Sequence, residues 1–284
     1  MRTIIITGAN SGLGFETARK IAKDKNYRVI LACRNMEKGN SAKDEIVNGT
    51  GNENIIPMEL DISSLESVRA FVDNFKKLNT KVYGLINNAG ISSMGHDGLS
   101  ADGIEIVMAT NYLGHFLLTN LLLPYMEEDG KIFNVTSDMH NPPGGIEWRD
   151  PEELFHPKEN DRRKYSYSKL SNIYFTYELD DILRKENSNI LVNAFNPGMM
   201  NTNFSGGHNS KARTAMVKLT MPERLGDLDK SSSALVELVI SDEYKDSGKY
   251  YDRSTKYVNS SELSYNIENR KDLWNKSLSI TGLK

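Results

Sequence analysis

Short runs of Val, Ile and Leu alternate along the chain with longer stretches in which apolar residues recur every three or four positions. Seven runs read as strands, near Thr3–Thr7, Arg28–Cys33, Ile55–Glu59, Val82–Asn87, Lys131–Thr136, Ile190–Phe195 and Gly248–Tyr251. The stretches between them read as helices, near Leu13–Lys23, Met36–Asn48, Ser64–Lys77, Gly103–Met126, Tyr165–Lys185 and Asp227–Val239. Strands that are apolar on both faces and alternate with helices predict a parallel sheet covered on both sides. No Gly/Ser/Pro-rich linker divides the alternation and no internal repeat is evident. One α/β, doubly wound domain over residues 1–284 is the expectation.

Two segments break the rhythm. Residues 138–164 are polar and punctuated by Pro142-Pro143-Gly144-Gly145 and Pro151, and residues 199–225 contain Gly206-Gly207 before a helix-like stretch over Lys211–Leu219. Both follow predicted strands, so both are expected at the carboxyl edge of the sheet, where open α/β sheets bind ligands. They are read as candidate substrate lids.

Composition narrows the partners. The 284 residues carry a formal charge of −3 with no long block of either sign, which points to a small-molecule substrate rather than nucleic acid. The single cysteine, Cys33, excludes an internal disulfide framework and offers no cysteine-based metal cluster, so no metal is expected. Thr3–Thr7 is too short for a signal-peptide core. The longest apolar stretch, Phe116–Leu123, is interrupted by Thr119 and Asn120. A soluble, cytoplasmic protein without a membrane span is the resulting expectation; a homo-oligomer is left open.

The first strand runs into Thr7-Gly8-Ala9-Asn10-Ser11-Gly12-Leu13-Gly14 and then a helix. Gly8 allows a tight turn, Gly12 lets backbone approach a pyrophosphate, and Gly14 allows close packing of helix on strand. The helix N-terminus adds unpaired N–H groups and a favourable dipole for an anion. The second strand ends in Cys33-Arg34-Asn35, where an acid would select the ribose diol of NAD. Arg34 instead suits a 2′-phosphate, which favours NADP. Asp61-Ile62, after the third strand, offers an acceptor for an adenine amino group, while Ser63 and Glu66 have capping-box spacing. Asn87-Asn88-Ala89-Gly90 closes the fourth strand with small residues where backbone would pass a ribose.

Of 13 tyrosines, only Tyr165 has a lysine four residues later, Lys169. Residues i and i+4 share a helix face, so phenol and ammonium converge. A free phenol titrates near ~10, and a neighbouring cation lowers that value toward one useful for proton transfer. Ser137 ends the fifth strand and can donate to a substrate oxygen. Asn111 sits within an apolar helical pattern, where asparagine is disfavoured unless its side chain has a partner. Pro197-Gly198 and Thr202 follow the sixth strand, placed to cover a nicotinamide and hold its amide.

The ordered set Gly8-x3-Gly12-x-Gly14, Asn88-Ala89-Gly90, Asn111, Ser137, Tyr165-x3-Lys169 and Pro197-Gly198 resembles the short-chain dehydrogenase/reductase family across nearly the whole chain. Thr7–Gly14, Ala32-Cys33-Arg34, Asn111–Leu123 and Leu273-Trp274…Thr281-Gly282-Leu283 resemble the branch that includes retinol dehydrogenases and light-dependent protochlorophyllide reductases. The resemblance implies a Rossmann-type sheet of about seven strands in the order 3-2-1-4-5-6-7 and a catalytic tetrad of Asn111, Ser137, Tyr165 and Lys169. It also implies NADP contacts at Gly8 to Leu13, Arg34, Asp61, Asn88, Tyr165, Lys169 and Thr202. The implied reaction interconverts a carbonyl and an alcohol by hydride transfer. Met199 stands after the Pro-Gly turn where a photoreductase would carry cysteine, which speaks against light dependence. The intact tetrad speaks against a catalytically idle NADP-binding protein. His140, Trp148, Phe155 and His156 in the 138–164 insert are candidates for lining a pocket for a lipophilic or aromatic carbonyl, with packing inside an exposed loop as the alternative.

Overall fold

Thr3 to Thr7 of the first strand, β1 (Arg2–Thr7), are all buried, which forces that strand into the interior of a sheet. A computed structural model, which describes residues 1–159, 161–200, 221 and 224–284, places it there. The other strands are β2 (Tyr27–Cys33), β3 (Ile55–Glu59), β4 (Val82–Asn87), β5 (Met126–Val135), β6 (Leu191–Asn196), β7 (Tyr250–Asp252) and β8 (Tyr257–Val258). They form one sheet in the order 3-2-1-4-5-6-7-8, parallel except for β8. The order expected for the first seven is found, and β8 is an addition. The register pairs Thr7 with Ala32, Asn87 with Asn134 and Val135 with Phe195, so the carboxyl ends of β1, β2, β4, β5 and β6 lie along one edge.

The helices are α1 (Gly12–Ile21), α2 (Met36–Thr50), α3 (Leu65–Lys76), α4 (Ile106–Tyr125), α5 (Pro151–Phe155), α6 (Lys164–Lys185), α7 (Leu228–Ile240) and α8 (Ile267–Thr281). One core joins a sheet face to α1, α2 and α7 through Ala18, Ile46 and Leu235. The other joins the opposite face to α3, α4, α6 and α8 through Phe71, Phe116, Leu170 and Leu273. The sheet is thus covered on both faces, as the alternation of elements requires.

Several boundaries differ from expectation for local reasons. Gly103 has φ +76°, so α4 begins at Ile106, where the Glu105 carboxylate accepts from the N–H groups of Val107 and Met108. The cap of α3 is Ser64, which accepts from Ser67 N–H, rather than Ser63. Ser63 turns back to Asp61 through its N–H and hydroxyl. α4 is long and apolar enough to cross a bilayer, yet 78% of its apolar window is buried within the protein, which makes it a core helix. Its middle, Ala109–Leu113, is wound as a π-turn, a geometry often found at functional sites.

Candidate functional site

The turn after β1 is shaped by its glycines. Gly8 and Gly12 take φ values of +66° and +58°, which favour glycine, and a Cβ on Gly14 would lie 2.6 Å from the Asn88 amide nitrogen and 2.7 Å from Gly8 O. α1 has no acidic residue in its first turn, and the Ser11 side chain makes no capping hydrogen bond. The N–H groups at the start of α1, around Gly12, Leu13 and Gly14, are therefore available to an anion, with Asn10 and Ser11 on the approach. A nucleotide phosphate fits this cradle.

Thr7 ties that turn to the next one. Its hydroxyl accepts from the N–H groups of Asn88 and Ala89, both at 2.8 Å, and lies 2.9 Å from His115 Nε2. The Asn88 side chain donates to Thr7 O at 2.8 Å, so this amide holds β1 to β4 and sets the position of Ala89 and Gly90. Beneath, Asn87 donates to Asn134 and Thr119, and Asn134 donates to Thr176. This buried polar chain joins β4 and β5 to the helices above them.

Of the four predicted catalytic residues, Asn111 lies in the π-turn of α4, Ser137 just beyond β5, and Tyr165 and Lys169 near the start of α6. Lys169 is buried and donates to Val135 O at 3.1 Å. Its ammonium lies 5.6 Å from the centre of the Tyr165 ring, as i, i+4 spacing dictates. Burial brings the Lys169 pKa down to about 8. The Asn111 side chain is fully occupied: it accepts from Ile91 N–H and donates to Ile91 O and to the Ser168 hydroxyl. It clamps the loop after β4 onto α6. The partner that justifies an asparagine in an apolar helix is thus protein. The Ser137 hydroxyl donates to Asp138 at 3.1 Å and accepts from Met139 N–H. His140 Nδ1 lies 2.8 Å from Ser137 O, and its Nε2 accepts from Ser261 N–H.

Arg34 is exposed and its guanidinium stands 3.9 Å from the Asp61 carboxylate. The two predicted contacts at the adenosine end therefore face each other, with Ile62 buried behind them. Gly198 has φ +76°, and its backbone packs against Gly226, where a Cβ would lie 2.2 Å from Pro197 O. The ends of the 199–225 segment meet, with Met199 N–H donating to Arg224 O and Gly226 N–H to Met199 O. Thr202 and the stretch 211–219 lie outside the described residues.

The insert of residues 138–164 divides its aromatic residues differently from a pocket lining. Phe155 is fully buried and packs against Tyr112 at 6.1 Å, and Trp148 meets Tyr174 edge-on at 4.8 Å. His156 pairs with Glu152 on the surface. A cavity of about 210 Å³ beneath the insert is lined by Arg149, Leu154, Lys164, Tyr167 and their neighbours, and none of the tetrad lines it. Sequence reasoning gave no role to Thr7, His115, Asp138 or Arg224. Arg224 pairs with Asp138 at 3.5 Å and so connects the 199–225 segment to the neighbour of Ser137. A histidine inside an otherwise apolar helix was the one available signal for His115.

The sequence and the fold are both similar to those of known proteins. Residues 2–145 match the family model of the short chain dehydrogenases. The chain is 35% identical to retinol dehydrogenase 13 of Mus musculus over 99% of its own length and 84% of that protein. It is 38% identical to the chloroplastic short-chain dehydrogenase TIC 32 B of Brassica napus over 71% of its length, and spans 65% of that relative. A solved structure of an uncharacterized protein from Mycobacterium paratuberculosis superposes with a TM-score of 0.74 at 31% identity, covering 100% of this chain and 94% of that one.

Proposed function

The chain belongs to the short-chain dehydrogenase family, and from that premise we propose that it is an NADP-dependent oxidoreductase interconverting a lipophilic or aromatic carbonyl and its alcohol. The observation that carries this reading is the buried Lys169 ammonium 5.6 Å from the Tyr165 ring, at the edge where the glycine turn also opens. The residues present suit a dinucleotide. Gly8, Asn10, Ser11, Gly12, Leu13 and Gly14 would hold the pyrophosphate, Arg34 a 2′-phosphate, Asp61 and Ile62 the adenine, and Asn88, Ala89, Gly90 and Pro197-Gly198 the ribose and nicotinamide. When bound, the nicotinamide supplies or accepts the hydride.

The chain's own residues handle the proton. Tyr165 protonates the developing alkoxide in reduction and deprotonates the alcohol in oxidation. With a pKa of about 8, Lys169 is mostly charged at neutral pH, so it favours phenolate on Tyr165 and shifts its acidity toward neutrality. Ser137 releases its hydrogen bond to Asp138 to donate to the substrate oxygen. Asn111 holds the loop after β4 against α6, and we assign its backbone carbonyl, in the π-turn, to the proton path that Lys169 joins. The relation to retinol dehydrogenase 13 over nearly the whole chain supports a retinoid-sized lipophilic substrate class.

A panel of aldehydes and ketones, followed by NADPH absorbance with NADH in parallel, tests the reading. Turnover is expected with NADPH in the dark, falling at least a thousandfold in Tyr165→Phe while NADPH still binds. Equal use of NADH would remove the role of Arg34. Unchanged turnover in Tyr165→Phe would remove the proton-transfer role.

A further inference from the structure

The hydrogen bonds around Thr7 fix the state of a histidine to which the reaction described above assigns no part. A hydroxyl has two acceptor lone pairs and one proton. On Thr7 both lone pairs are taken, by Asn88 N–H and Ala89 N–H at 2.8 Å each. Ile86 O, at 3.5 Å, is a poor acceptor for the proton, and His115 Nε2, at 2.9 Å, is a good one. Nε2 is therefore the bare nitrogen, and the ring proton sits on Nδ1, which donates to Asn111 O at 3.3 Å. Thr7, Asn111 and His115 are each no more than 2% exposed.

A purely space-filling role does not account for this residue. His115 lies beside Phe116, Leu117 and Leu118, all fully buried, and an apolar side chain would fill the same volume without the cost of burying two polar nitrogens. Both nitrogens are instead satisfied, one on β1 and one on the π-turn. A π-turn closes its hydrogen bonds at i→i+5 instead of i→i+4, and His115 Nδ1 adds a side-chain donor to one of its carbonyls.

We propose that His115 is a positioning residue which, as the neutral Nδ1–H tautomer, ties the Asn111 carbonyl of the proton path to the Thr7 anchor of the phosphate-binding turn. Each end of the imidazole acts on its own neighbour: Nε2 fixes Thr7 and with it the cofactor cradle, and Nδ1–H fixes the carbonyl of the proton path. Charge on the ring would break this, because a second N–H would confront a hydroxyl that already accepts two. Burial, opposed by the Asn111 carbonyl and reinforced by the Lys169 charge, lowers its pKa to about 3, and the ring stays neutral at working pH. Among the described residues, Lys169 is the charged group whose field acts on it.

The proposal rests on the reading of Asn111, Tyr165 and Lys169 given above, and its two links are separable by substitution. In His115→Gln the terminal amide oxygen takes the place of Nε2 and keeps the Thr7 bond, with no donor at the Nδ1 place. In His115→Asn the amide N–H takes the place of Nδ1 and keeps the Asn111 bond, with nothing at the Nε2 place. His115→Gln is expected to leave the NADPH dissociation constant within about twofold and to lower kcat about tenfold, on the scale of one lost buried hydrogen bond. His115→Asn is expected to do the reverse, weakening NADPH binding about tenfold with kcat nearly unchanged. Equal losses in both variants, or no loss in either, would overturn the assignment. A test independent of any variant is nitrogen NMR of the histidine-labelled wild-type protein. It should show an Nδ1-bound proton with no titration between pH 5 and 8, and an Nε2–H tautomer or a midpoint near 6.5 would overturn the proposal. Absence of turnover in the wild-type protein would strike the oxidoreductase reading alone, since the tautomer and the NADPH affinities are read without it.

Discussion

Lys169 carries its amine into a buried place where, among the described residues, it donates to the Val135 carbonyl and desolvation acts on it without an opposing charge. Desolvation therefore goes uncompensated, and the pKa falls from 10.5 to about 8. For a base with a depressed folded pKa, the cost of holding charge is fully present below pH 8. Between about 8 and 10.5 the folded chain has released a proton that the unfolded chain still holds, so stability rises with pH through that window. Relative to Lys169→Met, the wild-type protein should gain roughly 1–3 kcal/mol from pH 8 to pH 10.5 in urea unfolding. Parallel stability curves would contradict the burial of this amine. The Tyr165–Lys169 pair was legible because helix periodicity alone brings i and i+4 together. The Val135 carbonyl under Lys169, the Thr7–His115 bond and the Asn87–Asn134–Thr176 chain were not, since each joins residues 34 or more apart with no periodic trace.

On the scale of elements, the site depends on how closely α4 approaches the loop after β3. A Cβ on Gly114 would lie 1.8 Å from Ile62 O and 2.9 Å from Ile62 C, both backbone atoms that cannot swing aside. Gly114→Ala should cost about 1–3 kcal/mol or more by overpacking, and should weaken NADPH binding, because Ile62 sits behind the proposed adenosine site. Gly49 is the control. It lies exposed in α2 with nothing within 4 Å of an added Cβ, so Gly49→Ala should stabilise by about 0.4–1 kcal/mol. Denaturant midpoints of the two variants check both signs at once. Gly114 stands inside an expected helix and Gly49 just past the expected end of another, and the sequence does not say what either approaches; only the neighbouring chain decides. The helices that were legible have wide apolar stripes. α8, with Glu268, Arg270, Lys271, Asp272 and Lys276 among its 15 residues, presents a thin apolar face of Leu273, Trp274 and Leu278 and left no clear periodic signal.

That helix matters most for the molecule as a whole. The core on the α3, α4, α6 and α8 side is closed by α8: Trp274 meets Phe116 of α4 edge-on at 4.9 Å and Phe175 of α6 at 5.9 Å. Ser277 bonds the Tyr112 hydroxyl at 2.8 Å, and Arg270 pairs with Glu178 at 2.9 Å and with Asp181. α8 thus holds together the two helices that carry Asn111 on one side and Tyr165 and Lys169 on the other. The phosphate-binding turn belongs to the opposite core, built on α1, α2 and α7. Trp274→Ala should therefore cost about 2–4 kcal/mol as a large core truncation, lowering the thermal midpoint by roughly 5–10 °C. Below that midpoint the dissociation constant for NADPH should stay within about twofold of wild type, while kcat falls as α4 and α6 lose their common support. Scanning calorimetry with and without NADPH reads the midpoint and the affinity, and steady-state turnover reads kcat. An unchanged midpoint would make α8 peripheral, and a large loss of NADPH affinity would show that the two cores do not act separately.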